Sequence, residues 1–334
     1  MAAEIAEQPD VLARLIERRQ AVHAAVQDVV PSPLRGVALV GRGSSGNALL
    51  FARYALEIAG RRPATFVAPS VHDLYGAEVD YRGYLAVVAS QSGRTPEIVE
   101  AATRLRNGGA TTVALTADAA GDLAQAAQVV FDLGTGDERA VPATKTFTAQ
   151  VALSAFVTEA VGPTPWRHDD WTDLPERARE VAADLGASRR VAQRLDAVQR
   201  LAVVGRGFGL ALAHEAALKL QETALLAAVP HSCASFRHGP IAAAGPDFPV
   251  LVFAADASSA ADTTRLVEDL RGRDVPTLTV GPGPGCDLPT PAGPPEALQV
   301  ILGAIRLQQL SVALAVARGL DPDSPPSLAK VTLT

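Results

Sequence analysis

The chain has 334 residues, 48% of them hydrophobic, with 36 acidic against 30 basic side chains and a formal charge of −6. At roughly 150 residues per domain, that length predicts about two domains with sizeable cores, and the apolar share excludes a disordered chain. The acidic balance, with two Trp, four Tyr and nine Phe and no interleaving of aromatic and basic residues, excludes a nucleic-acid binder.

The N-terminal stretch MAAEIAEQPDVLARL carries acidic residues where a secretory signal would be basic and then apolar, so export is not expected. Short apolar runs from Val37 to Val40, Leu85 to Ala89, Thr112 to Leu115 and Val129 to Leu133 read as buried strands, with Ala- and Leu-rich helical stretches between them. The segment from Gly162 to Pro175, rich in proline and charge, reads as a connection between domains. Strands resume from Leu201 to Val204, Pro249 to Ala254 and Thr277 to Val280, and GPGPGCDLPTPAGPP from Gly281 reads as a surface loop. Between Leu298 and Leu320, the residues Arg306, Gln308, Gln309 and Arg318 fall at intervals that suit a packed helix better than a membrane span. Cys233 and Cys286 are too few for a disulfide framework or a four-ligand zinc site, which points to a reducing, cytoplasmic setting.

Alternating strands and helices predict an α/β fold, with parallel sheets flanked by helices in three layers. A repeat sharpens this: ALVGRGSSGNALLFARYALE from Ala38 and AVVGRGFGLALAHEAALKLQE from Ala202 each run strand, Gly-Arg-Gly turn, helix. Two similar domains are therefore expected, over residues 1–162 and 176–334.

Two turns carry chemistry in the first domain. GRGSSGN from Gly41 joins a strand to a helix, and free backbone N–H groups with the helix dipole make such a place attractive to an anion. It lacks the Walker pattern and is not assigned as a dinucleotide turn; the plain structural alternative is a tight turn with Ser44 as helix cap. In ASQSGRTPEIVEAA, the side chains of Ser90, Gln91, Ser92 and Thr95 surround Gly93 just before a helix whose Pro96 and Glu97 suit its first turn. That density of small hydroxyls suits a phosphate monoester, and both turns follow strands at the edge where open α/β sheets bind ligands.

SQSGRTPE closely resembles the phosphosugar loop of the SIS (sugar isomerase) family, and the tandem arrangement resembles the isomerase half of the glucosamine-6-phosphate synthases. EIAEQP at Glu4 to Pro9, ATKTFTAQ at Ala143 to Gln150, EAALKLQE at Glu215 to Glu222, RHGP at Arg237 to Pro240 and SLAKVT at Ser327 to Thr332 extend the resemblance along nearly the whole chain. The resemblance implies two SIS domains and a phosphosugar ligand. It places phosphate on Ser90, Gln91, Ser92 and Thr95, and sugar contacts on Ser44, Ser45, Val141 and Ala143. At Ala143 the synthases have serine.

An aldose–ketose conversion needs a base that carries a proton between C1 and C2, and a carboxylate beside a cation can serve. Glu222 matches the family's proton-shuttling glutamate, with Lys219 three residues earlier on the same helical face; an exposed Glu215–Lys219–Glu222 ladder is the plain alternative. The resemblance further implies that His238 opens the sugar ring, reaching the active site of a neighbouring subunit in a homodimer, and that Lys330 forms a Schiff base with the open-chain ketose. No metal or organic cofactor is implied, and no membrane partner. Ser235 and Arg94 stand where the synthases have glutamates, and the given sequence holds no glutaminase half.

The expected activity is interconversion of an amino-hexose 6-phosphate and a ketose 6-phosphate with free ammonia, physiologically as a deaminase. An ammonia-independent isomerase, a deglycase acting on fructosyl-amino-acid phosphates and a non-catalytic phosphosugar sensor are the alternatives.

Overall fold

The computed structural model describes residues 1–254 and 258–330. After α1 (Ala2–Glu17) and α2 (Arg19–Gln27), the chain runs β1 (Gly36–Val40), α3 (Gly43–Gly60), β2 (Ala64–Phe66), α4 (Ser70–Asp73), β3 (Tyr84–Ala89) and α5 (Pro96–Asn107). It continues through β4 (Thr111–Thr116), α6 (Asp122–Ala126), β5 (Val129–Asp132) and α7 (Lys145–Val161). A second series follows: α8 (Leu174–Ala183), α9 (Gly186–Leu195), β6 (Arg200–Gly205), α10 (Gly209–Ala224), β7 (Ala227–Ser232) and α11 (Cys233–Arg237). It closes with β8 (Val250–Phe253), α12 (Ala260–Arg271), β9 (Thr277–Pro282), β10 (Leu288–Thr290) and α13 (Glu296–Ala317).

Each series builds a five-stranded, fully parallel sheet, in the orders β2-β1-β3-β4-β5 and β10-β9-β8-β6-β7. Read from its own first strand, each sheet has the order second, first, third, fourth, fifth. The duplication expected from Ala38 and Ala202 is thus present in the topology. In both sheets the winding reverses beside the first strand, and there the carboxyl ends of the first and third strands leave a crevice.

The chain groups into two compact units. The first-sheet unit comprises Val11–Asp137, Thr146–Thr164 and the terminal segment from Ala329; the second-sheet unit comprises Met1–Asp10, Glu138–Lys145 and Pro165–Leu328. Residues 1–10 and 138–145 therefore pack with the second sheet, although they precede residue 162.

Each unit has its own core. In the first, Val40, Ala86 and Val88 pack on Ile98, Ala102 and Leu105 of α5; in the second, Val204, Val250 and Val252 pack on Phe236, Leu266 and Leu270. The strands are apolar on both faces because helices cover both, as a parallel sheet requires.

The last helix is the expected packed helix. By length and hydropathy α13 could cross a membrane, but 78% of its apolar window is buried inside the protein. Its polar residues are there to be bonded: Arg306 donates to Pro289 O at 3.0 Å and Asp184 O at 2.5 Å, and Gln309 donates to Val181 O and Ala182 O at 2.8 and 2.9 Å. These bonds offset the cost of taking amide and guanidinium groups out of water.

One connection differs from the sequence reading, and another carries structure of its own. The run from Gly281 is not simply a surface loop, because Leu288–Thr290 forms the edge strand β10, steered by Asp287, whose carboxylate accepts from Thr279 N and Oγ1 at 2.9 and 3.2 Å. The connection after Gly162 contains a 3-10 turn, His168–Trp171, and buries Trp166 and Trp171. Val331 and Thr332, the end of SLAKVT, lie outside the described residues.

Candidate active site

In the first-sheet unit, the two hydroxyl-rich turns stand at the carboxyl ends of the adjacent strands β1 and β3. Ser44 does not cap α3: the cap position is Arg42, the helix starts at Gly43, and no side chain closes it. Ser44 is thus in the first helical turn, with Ser45 after it. Ser45 is buried, and its hydroxyl accepts a hydrogen bond from Gln150 Nε2 at 3.0 Å. Gln150 lies on α7, where it is the single side-chain amide of a largely apolar helix and is buried. It belongs to ATKTFTAQ, but no role for it was legible there, since its partner is 105 residues away.

Gly41, Gly43 and Gly46 do keep the Gly-x-Gly-x-x-Gly spacing of dinucleotide turns. Such turns also need an acidic residue at the end of the second strand to hold a ribose hydroxyl. Here β2 ends at Phe66 and is followed by Val67 and Ala68, so the dinucleotide reading lacks that support.

The second turn is built around a left-handed glycine. Gly93 has φ of +64°, and a Cβ there would stand 2.8 Å from Thr116 Oγ1. Ser90 is buried and its hydroxyl accepts from Gly93 N at 3.2 Å, while Ser92 Oγ accepts from Arg94 N at 3.3 Å. Gln91 O receives Ala117 N at 3.1 Å, which ties the turn to the chain after β4. Thr95 is the extended cap residue of α5, with Pro96 in its first turn and no side-chain cap, so the helix opens toward the hydroxyl cluster. This is the arrangement that favours an anion.

Arg94 does not reach into the turn. Its guanidinium pairs with Asp118 at 3.2 and 3.0 Å. A second pair, not foreseen, joins the two turns: Arg42 donates to Glu97 through Nε at 2.8 Å and Nη2 at 2.6 Å. The hydrogen bond to Arg42 holds the Glu97 carboxyl below its ordinary range. Lys330, half-buried, also belongs to this unit.

In the second-sheet unit, α10 carries the acid–base pair. Lys219 is 1% exposed, lies 3.7 Å from Glu215 Oε1 and makes a direct ion pair with Glu222 Oε2. The Glu215–Lys219–Glu222 set is therefore no solvated ladder. It is a largely buried triad of one cation and two carboxylates, with Glu222 the more exposed carboxylate at its end. Burial of such a set is expensive, and the mutual pairing is what makes it tolerable.

His238 ends α11, its N–H bonded to Ser235 O at 3.1 Å and its side chain exposed; among the described residues it makes no hydrogen bond to Lys219 or Glu222. Gly239, with φ of +149° and open space around its Cβ position, turns the chain immediately after it. The Ser235 hydroxyl accepts from Ser232 Oγ at 2.8 Å. Val141 and Ala143, both half-buried, lie in this unit on an irregular segment before α7, and Val141 N donates to Asp323 O at 2.9 Å.

The two sheets are not equivalent at their switch points. After β6, the turn Gly205-Arg206-Gly207 opens α10 as Gly41-Arg42-Gly43 opens α3, but a carboxylate of the protein lies against it. A Cβ on Gly207 would stand 3.0 Å from Glu296 Oε1, and Glu296 also accepts from Ser259 Oγ at 2.8 Å. The small cavity beside it, about 40 Å³, is lined by Arg206, Phe253, Thr290 and Glu296 among others. Among the described residues no three His, Cys, Asp or Glu side chains converge as a metal site.

Duplicated parallel sheets, a hydroxyl-lined turn at the first switch point and a buried Lys–Glu pair in the second unit define the class. The SIS domain family model matches residues 35–160 and 195–292, and the chain belongs to that family. It is homologous to the isomerase half of glutamine–fructose-6-phosphate aminotransferase: it is 35% identical to the isomerizing enzyme of Aeropyrum pernix over 99% of this chain and 56% of that protein. The chain spans about half the length of the curated relatives it matches. Among solved structures, a provisionally assigned phosphosugar isomerase from Silicibacter pomeroyi DSS-3 superposes with a TM-score of 0.84 at 29% identity, covering 97% of this chain and 99% of that one. Glucosamine-6-phosphate deaminase from Thermotoga maritima shares the fold, with a TM-score of 0.81 at 23% identity over 99% of both chains.

Proposed function

We propose that this protein is a phosphosugar aminoisomerase that works as a deaminase, converting an amino-hexose 6-phosphate and water into a ketose 6-phosphate and ammonia. The observation that carries this reading is the ion pair between buried Lys219 and Glu222, the more exposed carboxylate of its triad. A sensor has no use for a partly exposed carboxylate held against a buried ammonium, whereas proton transfer between neighbouring carbons needs an accessible base beside a cation. The hydroxyl turn of Ser90, Gln91, Ser92 and Thr95 supplies phosphate binding, with Ser44, Ser45, Val141 and Ala143 on the sugar. Glucosamine-6-phosphate deaminase from Thermotoga maritima shares the fold, and the reaction in its name is the proposed one.

The chemistry follows from the side chains. His238, contributed by the second subunit of a homodimer, opens the ring by moving the proton of the anomeric hydroxyl. Glu222 takes the proton from C2 of the open aldehyde and returns one to C1, which leaves an imine at C2. Lys330 adds to that carbon and expels ammonia; water then releases the ketose and regenerates the amine. Lys219 holds Glu222 in position through the ion pair between them. A cytoplasmic location fits a phosphorylated substrate.

The test incubates the protein with glucosamine 6-phosphate, galactosamine 6-phosphate and fructosyl-amino-acid phosphates while ammonia, free amino acid and ketose phosphate are measured together. Equimolar ammonia and ketose phosphate are expected. Ketose phosphate without ammonia would establish the plain isomerase, and amino acid release the deglycase. Borohydride trapping under turnover should modify Lys330.

A further inference from the structure

One family motif in this chain has no part in the chemistry above: EIAEQP, on α1, which the structure packs beside the segment leading into ATKTFTAQ. Glu4 is 93% buried by side-chain and backbone packing, being 7% exposed, and its Oε1 accepts from Arg139 N at 2.5 Å and from Ala140 N at 3.2 Å. Glu138, also buried, folds back so that its Oε1 accepts from Thr144 N at 2.9 Å and Thr144 Oγ1 at 3.1 Å. Between these two carboxylates lies the irregular stretch that carries Val141 and Ala143.

No strand or helix pairs that stretch. Its buried amides would be costly without partners, and the partners are side chains and single backbone groups distributed around it. Glu4 takes the two amides that enter the stretch, Glu138 takes the amide that leaves it, and Asp323 O takes Val141 N in the middle. On the far side, Gln308 Nε2 donates to Thr144 O at 3.2 Å while its Oε1 receives Gln8 at 2.8 Å. Lys145, 2% exposed, pairs with Glu7 at 2.6 Å. Glu7 thus bears directly on ATKTFTAQ, Gln8 through Gln308, and Glu4 on the two residues Arg139 and Ala140 that lead into it.

We propose that Glu4 is a positioning residue for the sugar: by fixing the amides of Arg139 and Ala140 it sets where Val141 and Ala143 stand, and so governs recognition of the carbon chain without touching it. This rests on the reading that Val141 and Ala143 line a phosphosugar. The segment is held by charge-assisted bonds, which are shorter and stronger than neutral ones. A side chain that merely filled space could be replaced by any group of the same volume, whereas an acceptor for two amides cannot.

The experiment measures binding of two probes, sorbitol 6-phosphate and inorganic phosphate, to the full chain by calorimetry, in the wild type and in Glu4→Ala, Glu4→Asp and Glu4→Gln. Glu4→Ala is expected to weaken sorbitol 6-phosphate about tenfold or more while inorganic phosphate, held by the turn in the other unit, binds unchanged. Glu4→Gln keeps an oxygen acceptor and should return sorbitol 6-phosphate binding to within about threefold of wild type. If Glu4→Ala does not fold, the comparison of Asp with Gln carries the test, because Asp falls one methylene short and should show the loss that Gln does not. Equal weakening of both probes, or undiminished sorbitol 6-phosphate binding in Glu4→Ala or Glu4→Asp, overturns the proposal and leaves the phosphosugar reading standing. A wild type that binds neither probe overturns the phosphosugar reading itself and the proposal with it.

Discussion

Gln150 on α7 donates its amide to the hydroxyl of Ser45 on α3, at 3.0 Å and out of contact with water. One hydroxyl of the first turn is therefore fixed by the protein before any ligand arrives. Gln150→Leu should strand the Ser45 hydroxyl in an apolar setting and cost about 1–3 kcal/mol, the usual penalty for an unsatisfied buried group. The double variant Gln150→Leu with Ser45→Ala should recover part of that loss. Denaturant midpoints for the cycle check this, and strict additivity would contradict it.

The Lys219–Glu222 pair separates chemistry from binding. Glu222→Gln should lower the turnover of an amino-sugar phosphate by about 10²- to 10⁴-fold, as expected for loss of a general base. Sorbitol 6-phosphate should still bind. Lys219→Met should cost stability instead, about 3–5 kcal/mol, since the buried Glu215 and the partly exposed Glu222 would lose the cation they share. Thermal melts alongside steady-state kinetics distinguish the two.

Gly93 cannot be replaced without strain. With φ at +64° and Thr116 Oγ1 only 2.8 Å from a prospective Cβ, Gly93→Ala should destabilise the first-sheet unit by about 1–3 kcal/mol and weaken phosphate binding, because the amides and hydroxyls of the turn would shift together. Gly136, also at positive φ but with nothing within 4 Å of its Cβ position, gives the control: Gly136→Ala should leave phosphate binding unaltered.

Glu296 predicts the stoichiometry. Its carboxylate lies against the turn that opens α10, so the second sheet already has an anion where the first has room for one. Titration with inorganic phosphate should give one site per chain, not two. A second site of comparable affinity would contradict this account of the asymmetry.

Two histidines outside the proposed chemistry predict a pH effect on stability. Burial pushes His214 below its ordinary value, and the neighbouring His231 adds to the shift; His231 is itself lowered by burial and rests against Phe236, ring centroids 5.4 Å apart. A histidine with a lowered folded pKa binds fewer protons than the unfolded chain does near pH 6.5. Their contribution is therefore complete above about pH 6.5 and is lost as pH falls through that value toward the folded pKa. Melting temperature should drop between pH 7.5 and 5.5, and His214→Gln should flatten that slope.

Much of this was legible because it depends on neighbours in the chain. Seven strands followed from apolar runs, and the turn chemistry followed from glycines and hydroxyls next to them. The three strands that were not, β2, β7 and β10, are all sheet edges. β2 and β10 are only three residues long and in β7 only one of six residues is buried, whereas β5, also an edge, carries the apolar run from Val129. Ser235 and Arg94 were visible as departures, but their replacement partners, Ser232 and Asp118, were not.

By itself the sequence determined two α/β repeats, the hydroxyl turns and the residue types able to carry out sugar-phosphate chemistry, since each of these is written in short-range pattern. Only the tertiary structure decided that Lys219 is buried between carboxylates, that Glu296 lies against one of two similar turns, and that Glu4 holds a segment 135 residues away. Burial and long-range pairing depend on the path of the whole chain, and the same residues in the same order would read identically on an exposed surface.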